Sequence, residues 1–298
     1  MIINNPIYLN HPISKLLSKI LWMIYGCLLI PGLSSAACLG DLNSKKIYSV
    51  YVVPQYSISE IYTSWSPLLE KVGIDTKQCF NLVVPNTIPE FEKAVFAGKA
   101  DFAYMNPYHE VIAYHAQGYQ PLFADGTHLL DGIIVVRADS PYNTLADLRN
   151  TKIAFPSPNA FGASLLIRAT LAKAGVPFRP EYVKSHSNVY RAVILGDMQA
   201  GGGIHSSLEH ERPEIKEKLR VLYSTPSYRP HPFAAHPRVA PSEMETIRGE
   251  FIKLTSDALG RQLLAGIQMP NPVSVSYQKD YQVLEGLGLS KYVVIDAR

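Results

Sequence analysis

From position 47 onward the chain alternates short β-rich apolar runs with longer stretches whose apolar residues recur every three or four positions. Ile47 to Val53 predicts a strand, and Ile58 to Val72 predicts a helix with Ile61, Trp65, Leu68, Leu69 and Val72 on one face. Phe80 to Val84 predicts a second strand. Asn86 or Thr87 then caps a helix that takes Pro89 in its first turn, places Glu90 and Glu92 near its positive end and stops at Gly98. Asp101 to Met105 predicts a third strand, so the order is β-α-β-α-β.

The same order begins again after Asp139-Ser140-Pro141. Strands are expected at Lys152 to Phe155, Tyr182 to Lys184 and Gln199 to Gly201, with helices at Phe161 to Ala174 and Asn188 to Leu195. The turns at Pro54 and Pro156 and the stops at Gly98 and Gly196 recur at nearly the same interval. Two lobes of one α/β plan follow. Gly132 to Arg137 is expected to cross between them and Pro230 to Pro237 to return, since proline-rich and strand crossings are where closure is absorbed. The expected first lobe is 45–135 with 237–298, including helices at Ser242 to Ala258 and Gly260 to Ile267. The second lobe is 136–236.

Residues 1–37 read differently. Lys15 and Lys19 precede an apolar stretch from Ile20 to Ile30 and a run of small residues, the pattern of a secretory signal peptide and too short to span a bilayer. Of 3 cysteines, Cys27 lies in that segment. Cys38 and Cys79 are left as an even pair for an oxidising compartment, and a disulfide between them is expected. The alternative is a lipidated Cys38, disfavoured because Ser35 stands where a lipoprotein signal usually has Leu. With 298 residues, 47% hydrophobic and 18% charged, the chain is long enough for two cores and is neither fibre nor tail. A net charge of +3 without a basic run disfavours a nucleic-acid partner.

In parallel α/β lobes a ligand sits beyond the carboxyl ends of the strands, where helix amino ends offer free N–H groups. Those loops carry Gln55, Tyr56, Thr87, Tyr104, Asn106 and Tyr108 in the first half, with Asn159, Ala160, Phe161 and His186 in the second. None of the loops contains Lys or Arg, so they suit an anion held by dipoles and neutral donors. Structural roles stay open to several: Asn159 as a helix cap, Tyr104 and Tyr108 as packing, His186 as a buried structural histidine. No Gly-x-Ser-x-Gly or His-Glu-x-x-His motif occurs, and His109-Glu110 is followed by His only at 115. Gly201-Gly202-Gly203 lacks the Lys-Ser/Thr of a phosphate loop and is read as backbone approaching the cleft or hinge. Neither an enzyme, a metal site nor a cofactor is expected.

Ser185-His186-Ser187-Asn188-Val189-Tyr190-Arg191-Ala192-Val193, Ala200 to Gly203, Leu219 to Pro226 and His231 to Pro237 together resemble the periplasmic phosphate/phosphite/phosphonate-binding proteins of ABC transporters. The resemblance covers roughly residues 46 to 260. It implies an α/β type II periplasmic binding protein, two Rossmann-like lobes joined by a two-crossing hinge. It places the family's anion-holding turn on Ser157 to Gly162, where Asn159, Ala160 and Phe161 stand in place of a hydroxyl run. The family's helix-start histidine matches His186, and Thr87, Tyr104 and Met105 fall near first-lobe contacts. Ser187 and His231 stand where amine-binding members carry acids, implying a small anion without an amine. The resemblance further implies a monomer in the periplasm serving an ABC permease. The alternative partner is a sensor ectodomain.

Overall fold

The computed structural model describes residues 38–294, and the expected signal segment lies outside the described residues. The first half builds β1 (Leu39–Gly40), β2 (Ile47–Val52), α1 (Ile58–Thr76), β3 (Cys79–Val83), α2 (Ile88–Phe96), β4 (Phe102–Tyr104), α3 (Pro107–Gln117) and β5 (Gln120–Asp125). Ser57 caps α1 by accepting the Glu60 N–H, and the expected apolar face is buried. The helix outruns its expected end by one turn and stops where Lys77 turns left-handed at φ 55°. Helix α3 was not expected, although its punctuation is complete. The Asn106 side chain accepts the N–H groups of Tyr108 and His109, Pro107 opens the first turn, and Gly118 closes the helix at φ 76°.

The second half builds β6 (Gly132–Arg137), β7 (Lys152–Phe155), a π-helical turn (Phe161–Leu166) running into α4 (Ile167–Lys173), and β8 (Arg179–Tyr182). Then come α5 (His186–Leu195), β9 (Ala200–Ile204), α6 (His205–Glu209), α7 (Pro213–Lys216) and β10 (Leu219–Ser224). The chain closes with β11 (Pro232–Ala235), α8 (Pro241–Lys253), α9 (Ala258–Gly266), β12 (Pro272–Ser274) and irregular helical turns through Tyr292. Strand β8 lies earlier than the expected Tyr182 to Lys184. It is an exposed edge strand with no apolar alternation, and Lys184 at φ 77° cannot extend it.

One sheet has seven strands in the order β1-β3-β2-β4-β11-β5-β12, the other five in the order β10-β6-β9-β7-β8. β2 runs parallel to β3 and β4, and β7 runs parallel to β8 and β9. Gly132 to Arg137, expected as a crossing, lies wholly inside the second sheet. Ile133, Ile134, Val135 and Val136 are each 0% exposed, divided between the apolar clusters on the two faces of that sheet, as befits a covered strand. Pro232 to Ala235 in turn sits inside the first sheet between β4 and β5. The segments that pass between sheets are therefore 126–131 and 225–231, tied to each other by reciprocal Leu130 and Tyr228 backbone bonds of 2.8 Å.

The glycine run is a packing surface. A Cβ on Gly202 would stand 2.0 Å from the Ala163 carbonyl oxygen, and one on Gly203 2.5 Å from the Tyr190 hydroxyl. Strand β9 extends to Ile204 because these glycines let the π-helical turn and α5 press on it. The last segment joins both halves: Tyr277, Tyr281, Leu284 and Leu289 share one apolar cluster with Tyr108 and Val111 of α3 and with Phe161, Leu165 and Leu166 of the π-helical turn. At the other end, Cys38 and Cys79 form a disulfide that pins β1 against β3, with their Cα atoms 5.6 Å apart.

Candidate functional site

The loops at the carboxyl ends of β2, β4 and β7 meet the start of α5 around a small cavity of about 20 Å³, room for roughly one water-sized group. Of the residues singled out in the sequence, Gln55, Asn106, Ala160, Phe161 and His186 line it together. Thr87 caps α2 by accepting the Glu90 N–H, which presents the next residue, Ile88, to the cavity wall. Residues 160 to 163 supply the amino end of the π-helical turn. The Ala160 N–H donates to the Ser157 carbonyl at 3.4 Å, and the N–H groups that follow open the turn without a side-chain cap.

Through Gln55, Leu130, Ile204 and His231 the cavity continues into a wider cleft of about 370 Å³, whose walls include Tyr104 and Asp125. Tyr104 is buried, its ring 5.0 Å from Trp65 and 5.4 Å from His231, and burial pushes its phenol pKa up. Tyr56 lines an adjoining space of about 260 Å³, its hydroxyl held by the Gln268 side chain at 2.8 to 3.0 Å. At the mouth of the cleft, His210 at the end of α6 reaches Glu60 of α1 across 2.7 Å and packs against Tyr56 at 5.1 Å.

Two expected residues face elsewhere. Tyr108 is buried in the apolar cluster under the last segment. Asn159 has its side chain fully engaged: Nδ2 donates to Glu92 Oε2 at 2.9 Å and to the Val294 carbonyl at 2.8 Å, and Oδ1 accepts the Val294 N–H at 2.9 Å. Its own carbonyl accepts from Asn106 Nδ2 at 3.1 Å, so Asn159 ties the second half to α2, α3 and the final strap. Its place beside the helix start was legible from local sequence, but partners so distant along the chain leave no local signal.

Among the small cavity's lining residues not included in the expected contacts, His231 is the titratable one, and it lines the wider cleft as well. Its position opposite a family acid was the signal that could have found it. Burial, with the nearby His109 and His186, pulls its pKa down to about 3, while burial alone takes His186 down to about 4. Both imidazoles are neutral near pH 7. His186 Nδ1 lies 3.0 Å from Ser207 Oγ, which also bonds the Tyr190 hydroxyl. No Lys, Arg, Asp or Glu lines the small cavity. Among the described residues, no cluster of His, Cys, Asp or Glu is placed to hold a metal ion.

Two α/β halves whose helix starts meet over a small donor-lined cavity define a two-lobed solute-binding protein. The chain belongs to the family of periplasmic substrate-binding proteins of phosphonate ABC transporters, whose model matches residues 50–281. That is a family of binding proteins and not of enzymes, and it serves solute capture for import. The fold is similar to a binding-protein component of an ABC phosphonate transporter from Pseudomonas aeruginosa, with a TM-score of 0.73 and 15% identity over 82% of this chain and 86% of that one. PhnD1 from Prochlorococcus marinus, solved in complex with methylphosphonate, superposes with a TM-score of 0.74 and 16% identity over 82% and 97% of the chains. XAC2383 from Xanthomonas citri, solved with chloride, gives 0.64 and 16% over 83% and 98%. No curated protein sequence matches significantly.

Proposed function

We propose that the small cavity takes the acidic head of a phosphonate or a similar small oxyanion without an amine, with the substituent lying in the wider cleft. The observation that carries this reading is a small cavity walled by neutral donors and an uncapped helix start, with no carboxylate in its own lining, while Asp125 in the wider cleft already accepts the His128 and Asn271 N–H groups. The methylphosphonate held by PhnD1 supports it. In this structure the cavity has room for roughly one water-sized group, so the ligand enters an opened form, the lobes bending at 126–131 and 225–231. The protein acts as a monomer, exported by its amino-terminal signal peptide, and hands the ligand to an ABC permease. The disulfide occupies the Cys38 sulfur that a lipid anchor would require.

A thermal-shift series on the mature protein tests this with methylphosphonate, phosphite, phosphate, aminoethylphosphonate and methanesulfonate. Methylphosphonate is expected to raise the melting temperature more than aminoethylphosphonate. A larger shift with the amine-bearing compound, or none with any oxyanion, would overturn the proposal.

A further inference from the structure

The small cavity contains two titratable side chains, His186 and His231, and no fixed positive charge. The His231 ring stacks on Tyr104, and none of the described residues hydrogen-bonds to either of its nitrogens. His186 has a partner only at Nδ1, where Ser207 Oγ stands, so its Nε2 is unpartnered beside the cavity. Resting on the oxyanion reading above, we infer that the cavity takes up its anion together with a proton from solvent, held on the His186 and His231 pair.

Charge drives the uptake. A phosphonate dianion moved out of water into a wall of neutral groups is a buried, unpaired charge, among the costliest arrangements in a protein. Helix-start N–H groups and the amides of Gln55 and Asn106 soften that cost but carry no net charge, and Asn106 Nδ2 already serves the Asn159 carbonyl. The nearest groups able to become cationic are the two imidazoles. A neutral imidazole also has one N–H and one lone pair, and a lone pair turned toward an oxyanion repels it. Protonation makes both nitrogens donors.

The surroundings leave that proton dependent on the ligand. Around His186 stand Ser207 and Tyr190, neither of them charged, with Glu211 engaged by the neighbouring Ser187. Around His231 stand Tyr104, His186 and His109, and His109 is itself taken by Glu92 at 2.8 Å. Asp125 lies in the wider cleft, where it accepts the His128 and Asn271 N–H groups. No carboxylate hydrogen-bonds to either ring, and burial keeps both deprotonated in the free protein. An anion in the cavity supplies the missing partner and raises the affinity for a proton. The two rings disfavour charge on each other, so the pair takes one proton.

Titration calorimetry of the mature protein with methylphosphonate near pH 8, in amine buffers of different ionisation enthalpy, reads the proton directly. The expected result is net uptake approaching one proton per anion bound, with affinity rising by up to about tenfold per pH unit as pH falls, until the bound pair is fully protonated. In the double variant His186→Gln and His231→Gln the uptake is expected to vanish while circular dichroism stays native. Tight binding by the unaltered protein with no uptake would overturn the inference and leave the oxyanion reading standing. So would undiminished uptake in the double variant, because the proton would then sit on the ligand or elsewhere. Absence of binding by any oxyanion would instead remove the underlying reading.

Discussion

Glu110 shows how a single side chain sets a cost that the fold carries. It sits on α3 with 0% exposure, and neither carboxyl oxygen has a hydrogen-bond partner. Burial raises its pKa well above the ordinary carboxylate range. A group bound more tightly to its proton in the folded than in the unfolded chain adds no penalty below the unfolded value. As pH rises from there toward the folded value, the folded state is progressively disfavoured. The isosteric, uncharged Glu110→Gln is therefore expected to raise the melting temperature at pH 8 and to change it little at pH 4. Melting curves across that range check this, and a difference that is constant with pH would remove the explanation. Nothing in the sequence flagged Glu110 beyond its place after His109, because the burial depends on the final segment folding over α3. His186 was legible from its place just before an expected helix and from the family resemblance, although the helix starts at His186 itself, two residues earlier than expected, with Ser185 as its cap.

At the scale of elements, glycine has opposite meanings in β9 and α8. A Cβ at position 202 would overlap the Ala163 carbonyl, whereas one at position 249, on the exposed side of α8, meets nothing within 4 Å. Gly202→Ala is expected to destabilise the fold by about 3 kcal/mol or more through forced separation of β9 from the π-helical turn. Gly249→Ala is expected to stabilise by about 0.5–1 kcal/mol through helix propensity. Denaturant unfolding of the two variants side by side makes the comparison, and equal effects would sink it. The β-α-β-α-β order, helix α2 and its stop, and strand β7 were legible because their signals are local: apolar period, cap and glycine. Gly132 to Arg137 was misplaced as a crossing because an apolar run looks the same whether it joins two sheets or lies inside one. Edge strand β8 has no buried face to announce it, and α3 was passed over because its turned-in residues include His109 and Glu110, which break the apolar stripe.

For the whole molecule, the question is what holds the halves together when the cavity is closed. Glu60 and His210 meet at the cleft mouth on exposed side chains, a contact that solvent weakens. The firmer tie is on the far side. There the last helical turns pack against α3 and the π-helical turn, the Tyr114 and Tyr277 rings stack 3.6 Å apart, and Val294 bonds Asn159 through both its N–H and its carbonyl. Because Asn159 also grips Glu92 of α2, the strap fastens the cavity-side turn of the second half to the first half. The disulfide near β1 is remote from this tie. Its loss through Cys38→Ser paired with Cys79→Ser is expected to lower stability by about 4 kcal/mol, from a loop closed over a sequence separation of 41, while leaving anion affinity unchanged. A chain ending at Tyr292 is expected to behave in the reverse way. Two hydrogen bonds at about 1 kcal/mol each favour the closed form, so their loss weakens anion binding on the order of tenfold with little change in melting temperature. In solution scattering the truncated chain without ligand should show a larger radius of gyration than the full one, and saturating methylphosphonate should bring the two together. Equal radii and equal affinities would place closure in the cleft alone and leave the strap as packing.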